Sequence, residues 1–354
     1  MSIKKLLTLL SVTSLTTSAN AEPKTWDDDS KGIKVFILAG QSNMVGYGKV
    51  EEGGNPAWEK GGDAPKEIKG GLGCLREMAI NNDRYPEYDF TSLLAEPGKP
   101  ESSAWKNRKH VKVWWRNGHS GKHGGEISKG DLGPPFQGAN AGWFGPEFGF
   151  GQIIGDHYRN DDVLIIKTAW GGHSLAKDFR PPTAVVRRGG EVGASFDEIF
   201  RQTRECLDKL GEEFPEWKGR GYQIAGFGWH QGFSDRVSRE QSVEYKDNLS
   251  DFIADVRKGF GNPELPFVIA STGMAAGGGV ERPPYKGYSE VERAQLWVAD
   301  DARPDNVLST DTRPFWKPED KSPSSMGYHW NHSGYSYFMV GKALGDDMVK
   351  LLGK

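Results

Sequence analysis

A three-layer α/β sandwich around a central parallel sheet is the fold this sequence predicts, on two observations. Short uninterrupted apolar runs recur along the chain, each ending in glycine or polar residues. Between them lie stretches with the 3.6-residue spacing of amphipathic helices. Continuous apolar runs suit strands buried on both faces. Their alternation with helices suits a parallel sheet covered on both sides.

The expected strands are "KVFILAG" at 34–40, "DDVLIIKTAWGG" at 161–172, "YQIAGFGWHQG" at 222–232, "LPFVIASTGM" at 265–274 and the weaker "NVLSTDT" at 306–312. A helix is expected over 195–214, with Phe196, Ile199, Phe200, Leu207 and Leu210 on one face and Ser195 as its N-cap. A second runs over 242–261 and ends in glycine, and a third over 333–353 closes the chain. The interval 50–141, rich in Gly, Pro, Lys and Trp, fits no such alternation. It reads as a long insertion packed over the edge of the sheet within a single domain spanning 22–354.

Composition narrows the function. With 36% hydrophobic and 26% charged residues the chain has ordinary globular character, and its formal net charge of −3 gives no basic footprint for nucleic acid. Residues 1–21 carry two lysines, an apolar stretch too short to span a bilayer, and Ala19-Asn20-Ala21 before Glu22. This is the pattern of a secretory signal, so the expectation is a secreted or periplasmic protein without a membrane span. Cys74 and Cys206 have no metal-type spacing; one disulfide and two buried thiols both fit. Exposed tryptophans often line sugar sites, but for most of the twelve here the plainer expectation is a core position.

In open α/β sheets, reacting groups lie beyond the carboxyl ends of the strands. The first expected strand ends in Gln41-Ser42-Asn43, the second in Gly171-Gly172-His173-Ser174, and the third in Trp229-His230-Gln231-Gly232. His329 and His332 stand just before the last helix. A hydroxyl, a glycine loop, a side-chain amide and an imidazole are the parts that acyl transfer requires. Histidine takes the serine proton near neutral pH. A glycine N–H and the Gln231 amide are candidate donors to the developing oxyanion, with the Ser42 N–H as a further one. Each residue also has a plain structural use: Ser42 as a cap, the glycines as a turn, Gln231 as a loop support, the histidines as surface residues. The functional reading rests on all four occurring in this order at strand ends.

"GQSNM" (40–44), "AWGGHSL" (169–175), "WHQGFSD" (229–235) and "GYHWN" with the following "YFMVGKAL" resemble the sialate O-acetylesterase-like branch of the SGNH hydrolases, also grouped as carbohydrate esterase family six. The resemblance spans about 34–352, less the insertion. It implies a flavodoxin-like sandwich and metal-independent, cofactor-free removal of O-acetyl groups from a carbohydrate, such as an acetylated polysaccharide or sialic acid. It also implies Ser42 as nucleophile, His329 as base, and Gly171 or Gly172 with Gln231 as the oxyanion hole. Relatives usually carry Asp three residues before the histidine, where this chain has Met326, and many read Glu where it has Phe233. The acid that orients the imidazole is then Asp235 first and Asp311 second, or the pair works as a dyad. The rival from another class is a non-catalytic carbohydrate-binding relative. A metal hydrolase is disfavoured, since there is no H-E-x-x-H and the eight histidines are scattered.

Overall fold

The computed structural model describes residues 32–51, 72–118, 121–134, 138–139, 141–274, 288–300 and 306–353. In chain order the elements are β1 (Ile33–Gly40), α1 (Ser42–Val45), β2 (Gly48–Lys49), α2 (Leu75–Ile80), β3 (Arg108–Arg116), β4 (Ile127–Leu132), β5 (Trp143–Phe144), α3 (Pro146–His157) and β6 (Val163–Ala169). They continue with α4 (Pro182–Arg188), α5 (Ala194–Asp208), α6 (Leu210–Glu213), β7 (Tyr222–His230), α7 (Phe233–Arg236), α8 (Arg239–Gly259), β8 (Phe267–Ala270), α9 (Tyr288–Asp300), β9 (Val307–Thr310) and α10 (Gly334–Leu352). The segment read as a secretory signal, 1–21, lies outside the described residues.

All five expected strands are present, as β1, β6, β7, β8 and β9. They belong to a seven-stranded sheet of order β4-β3-β6-β1-β7-β8-β9, parallel throughout except for β4. The order β6-β1-β7-β8-β9 is the flavodoxin-like 2-1-3-4-5 arrangement. Alternating residues of β1 enter two separate cores. Phe36 and Leu38 join Phe148, Phe150 and Ile154 of α3 and Phe338, Val340 and Leu344 of α10. Val35, Ile37 and Ala39 join Ile199 and Leu207 of α5 and Leu249, Phe252 and Val256 of α8. Helices therefore cover both faces, which is why these strands are apolar without alternation.

Two details differ from expectation. Part of the insertion enters the sheet instead of lying over its edge: β3 pairs parallel with β6, and β4 adds an antiparallel margin. Val111, Val113 and Trp115 face one core and Trp114 the other, so β3 is a true sheet strand. The helix expected over 195–214 is split into α5 and α6, and its N-cap is Gly193, leaving Ser195 inside the first turn. Cys74 and Cys206 are both free and buried. Burial pushes the Cys74 thiol up to about 12, so it stays protonated and unreactive.

Candidate active site

Register brings the candidate segments together. Gly40 at the end of β1 lies level with Ala169 of β6 on one side and His230 of β7 on the other. The chain passes from β6 across β1 to β7, so the crevice beside β1 is the switch point where open α/β sheets bind ligands. A Cβ on Gly40 would lie 2.1 Å from the His230 carbonyl oxygen, so only glycine permits this approach.

Ser42 opens α1 immediately beyond that contact and is 7% exposed. Among the described residues neither its hydroxyl nor its N–H has a hydrogen-bond partner. Its neighbours are strongly held. Gln41 Oε1 accepts from the N–H groups of Gly232 (3.2 Å) and Ser234 (3.0 Å) and from Gln231 Nε2 (3.3 Å). At the other end of α1, Lys167 Nζ donates to the Val45 carbonyl (2.8 Å) and to Glu147 Oε2 (3.0 Å). Lys167 and Glu147 are fully buried, so removing either partner would strand a charge in the core.

The expected oxyanion donors separate. Gly171 N–H donates to the Gly118 carbonyl (3.1 Å) and is spent. Gly172 has φ +80°, open space around its Cα, and an N–H without a partner among the described residues. Gln231 is 1% exposed. Its Nε2 donates to Asp235 Oδ2 (2.6 Å) and the His173 carbonyl (3.0 Å), and its Oε1 lies 3.0 Å from the Tyr245 hydroxyl. An amide has two hydrogens, so Gln231 would have to break one of these bonds to reach an oxyanion. The structure places it as the brace between the β6 and β7 loops, while the N–H groups of Ser42 and Gly172 have no partner among the described residues.

His329 comes from a segment no periodicity could announce. Within the 3₁₀ stretch Gly327–His332, residues Trp330, Asn331 and His332 have φ of 52°, 52° and 58°. Three consecutive non-glycine residues in the left-handed region cost roughly 1–2 kcal/mol each, and local bonds hold them. Asn331 N–H donates to the Met326 carbonyl (3.1 Å), Asn331 Nδ2 to Lys317 O (3.1 Å), and Ser324 N–H to Asn331 O (3.0 Å). The segment is tied to the serine through the next residue. Asn43 Nδ2 donates to the Tyr328 carbonyl (3.0 Å), and Tyr337 hydroxyl donates to Asn43 Oδ1 (2.6 Å). The His329 ring stacks on Tyr47 with centroids 3.9 Å apart and meets the Tyr328 edge at 4.6 Å. His332 is 1% exposed, and neither ring nitrogen has a hydrogen-bond partner among the described residues. Burial, and then the nearby Lys49 charge, push it down to about 4, so it is neutral at physiological pH.

The acid expected at His329 is a correction. Both oxygens of Asp235, fully buried, are engaged elsewhere: Oδ2 accepts from Leu175 N–H (2.8 Å) and Gln231 Nε2 (2.6 Å), Oδ1 from Ala176 N–H (2.9 Å). Asp235 thus ties α7 to the loop after β6 and does not touch His329. Asp311 does not either; it accepts from Arg313 N–H (3.0 Å) and pairs with its guanidinium (2.6 Å). Phe233, at the position where relatives read Glu, has its ring 5.9 Å from Tyr328 and 4.4 Å from the Arg236 guanidinium.

Sequence reasoning gave no role to Gln41 and Asn43, which it named beside Ser42, and passed over Tyr47 and the Glu147–Lys167 pair. The first two were legible as polar residues set in the apolar surroundings of "ILAGQSNMVG"; a lysine inside "VLIIKTA" was a similar signal. Among the described residues no cluster of three or more His, Cys, Asp or Glu is placed to hold a metal ion, and no helix is long and apolar enough to cross a membrane.

A solved protein from Arabidopsis thaliana shares the fold at TM-score 0.51 and 16% identity, over 90% of this chain and 98% of its own. A carbohydrate acetylesterase from Xanthomonas citri aligns at TM-score 0.46 and 12% identity, over 88% of this chain and 56% of its own. A carbohydrate esterase family 2 enzyme with a carbohydrate-binding domain, from Corynascus thermopiles (Myceliophthora fergusii), aligns at 0.42 and 11%, over 96% and 69%. No curated protein sequence matches the chain. The family model described as carbohydrate esterase, sialic acid-specific acetylesterase, matches residues 118–348, which include the β6 and β7 loops and the His329 segment. The chain belongs to that carbohydrate esterase family.

Proposed function

We propose that this protein is an exported serine esterase that removes O-acetyl groups from a carbohydrate through an acyl-enzyme on Ser42. The observation that carries the reading is the hydroxyl of Ser42, unengaged at the tip of the central strand, between two loops whose backbone is braced by buried side chains. His329 takes the serine proton as Oγ attacks the acetyl carbonyl carbon. Hydrogen bonds between nucleophile and base are often long in the free enzyme and tighten with substrate. The carbonyl oxygen gains negative charge and meets the N–H groups of Ser42 and Gly172. The protonated imidazole gives its proton to the departing sugar oxygen as the bond to the acyl carbon breaks. Water then attacks the acyl-serine, His329 again takes and returns the proton, and acetate leaves. Tyr47 stacking and the Asn43–Tyr328 bond set the orientation of His329. The composition of residues 1–21 supports export.

Acetate release from a panel of acetylated polysaccharides and O-acetylated sialic acids tests the reading. Release from at least one glycan, unaffected by a chelator, is expected. Binding without release across the panel would instead make the protein a carbohydrate-binding relative.

A further inference from the structure

Ser195, His173 and His123 form a cluster outside the groups assigned to the reaction. Ser195 is fully buried, and its hydroxyl lies 2.6 Å from His173 Nδ1 and 3.0 Å from His123 Nε2. His173 Nε2 lies 3.0 Å from the Gly121 carbonyl oxygen. A carbonyl only accepts, so Nε2 carries the hydrogen, and in the neutral ring Nδ1 accepts from the Ser195 hydroxyl. Ser195 Oγ then accepts from His123 Nε2–H. Every donor points the same way, from His123 through Ser195 and His173 to Gly121, an arrangement in which each bond strengthens the next.

The chain of bonds ends on the backbone that holds the oxyanion donor. Gly118 O accepts from both Gly171 N–H (3.1 Å) and Gly121 N–H (2.9 Å). Gly171 and His173, the two neighbours of Gly172, are therefore both fastened to Gly118 and Gly121, one by its main chain and the other by its imidazole. Gly172, left-handed and exposed, has no side chain with which to fix itself. Its own carbonyl is held by Ser234 Oγ (2.8 Å), which fixes one side of the peptide it shares with His173 but not the direction of its N–H.

We infer that His173, Ser195 and His123 are positioning residues that aim the Gly172 N–H at the oxyanion of the esterase reaction. This rests on the proposed function, since the donor matters only if charge develops beside Ser42. A donor held loosely still meets the ground-state carbonyl but loses its advantage when charge appears. Loss of the cluster should lower kcat and leave KM nearly unchanged.

The test uses the full-length enzyme with Ser195→Ala, His173→Ala and His173→Gln. Removing an oxyanion donor outright costs roughly 10²–10³-fold in kcat, so loosening one should cost about tenfold. Ser195→Ala and His173→Ala are expected to lower kcat by about that factor with KM within about twofold. His173→Gln, whose amide can still donate to Gly121 O, should recover most of the loss. Hydrogen–deuterium exchange without substrate should show the 170–174 backbone opening faster in Ser195→Ala, by a larger factor than the core strands β1 and β7. Wild-type kcat in both alanine variants, or equal defects in His173→Ala and His173→Gln, overturns the inference. Should the wild type hydrolyse no ester, the proposed function fails, and unchanged exchange at 170–174 would then overturn the positioning separately.

Discussion

The loops beyond β1, β6 and β7 and the segment that carries His329 reach the same crevice by opposite means. The three loops leave strands that are level at Gly40, Ala169 and His230, so register alone places Ser42, Gly172 and Gln231 together. The histidine segment has no such scaffold. It runs through three left-handed residues and is held by single bonds from Asn331, Ser324 and Asn43. Precision in the first region comes from the sheet, and in the second from individual side chains acting against backbone strain. Substitutions in the two regions should accordingly fail in different ways.

The largest effect expected within this contrast is at His329. His329→Ala should lower kcat by roughly 10²–10⁴-fold, the usual worth of a positioned general base, with the unfolding midpoint nearly unchanged because the ring is only half-buried. A variant with near-wild-type turnover would move the base elsewhere, and the contrast would lose its functional meaning.

Asp235→Asn sharpens the same comparison from the other side. An amide nitrogen would face one of the donors now bound to the carboxylate, at a cost of about 1–3 kcal/mol for a buried unsatisfied group. A urea titration should show that loss, while kcat of the folded protein falls less than in His329→Ala. If Asp235 were the triad acid after all, kcat would fall by about 10⁴-fold at almost constant stability.

The smallest effect is on pH dependence. Burial holds His332 at about 4 against an ordinary 6.5. The unfolded chain binds this proton below pH 6.5 and the folded protein only near pH 4, so stability is complete above 6.5 and is lost as pH falls towards 4. The loss from His332 amounts to about 3 kcal/mol at most. His230, also pushed to about 4 by burial, acts in the same direction, and Asp235, pushed up to about 6, in the opposite one. His332→Leu should lessen the drop in urea midpoint between pH 7 and pH 4.5. An undiminished drop would mean that the ring is not held neutral by its surroundings.

The two regions also differ in how far the sequence reveals them. The parallel strands were legible because burial on both faces leaves continuous apolar runs, and "GQSNM" stood out as polar residues following one of them. Two helices escaped notice despite terminal signals: α3 and α4 each begin with proline in the first turn, and α4 ends in arginines before a glycine. The alternation of "HVKVWWR" in β3 was hidden in a segment read as an insertion. The roles of Asp235 and Gln231 were not legible, because nearness in sequence to the site says nothing about which donors and acceptors a buried side chain must satisfy. Nor was the left-handed turn at 330–332, formed by Trp, Asn and His where glycine would have announced it.

Covalent labelling probes the nucleophile role proposed for Ser42 independently of which glycan is the substrate. Wild-type protein and Ser42→Ala would be treated with an organophosphonate ester probe and mapped by peptide mass spectrometry. A single adduct is expected on the peptide containing Ser42, with no adduct in the variant and loss of acetate release by several orders of magnitude. An adduct on another serine, or undiminished acetate release in Ser42→Ala, would contradict it.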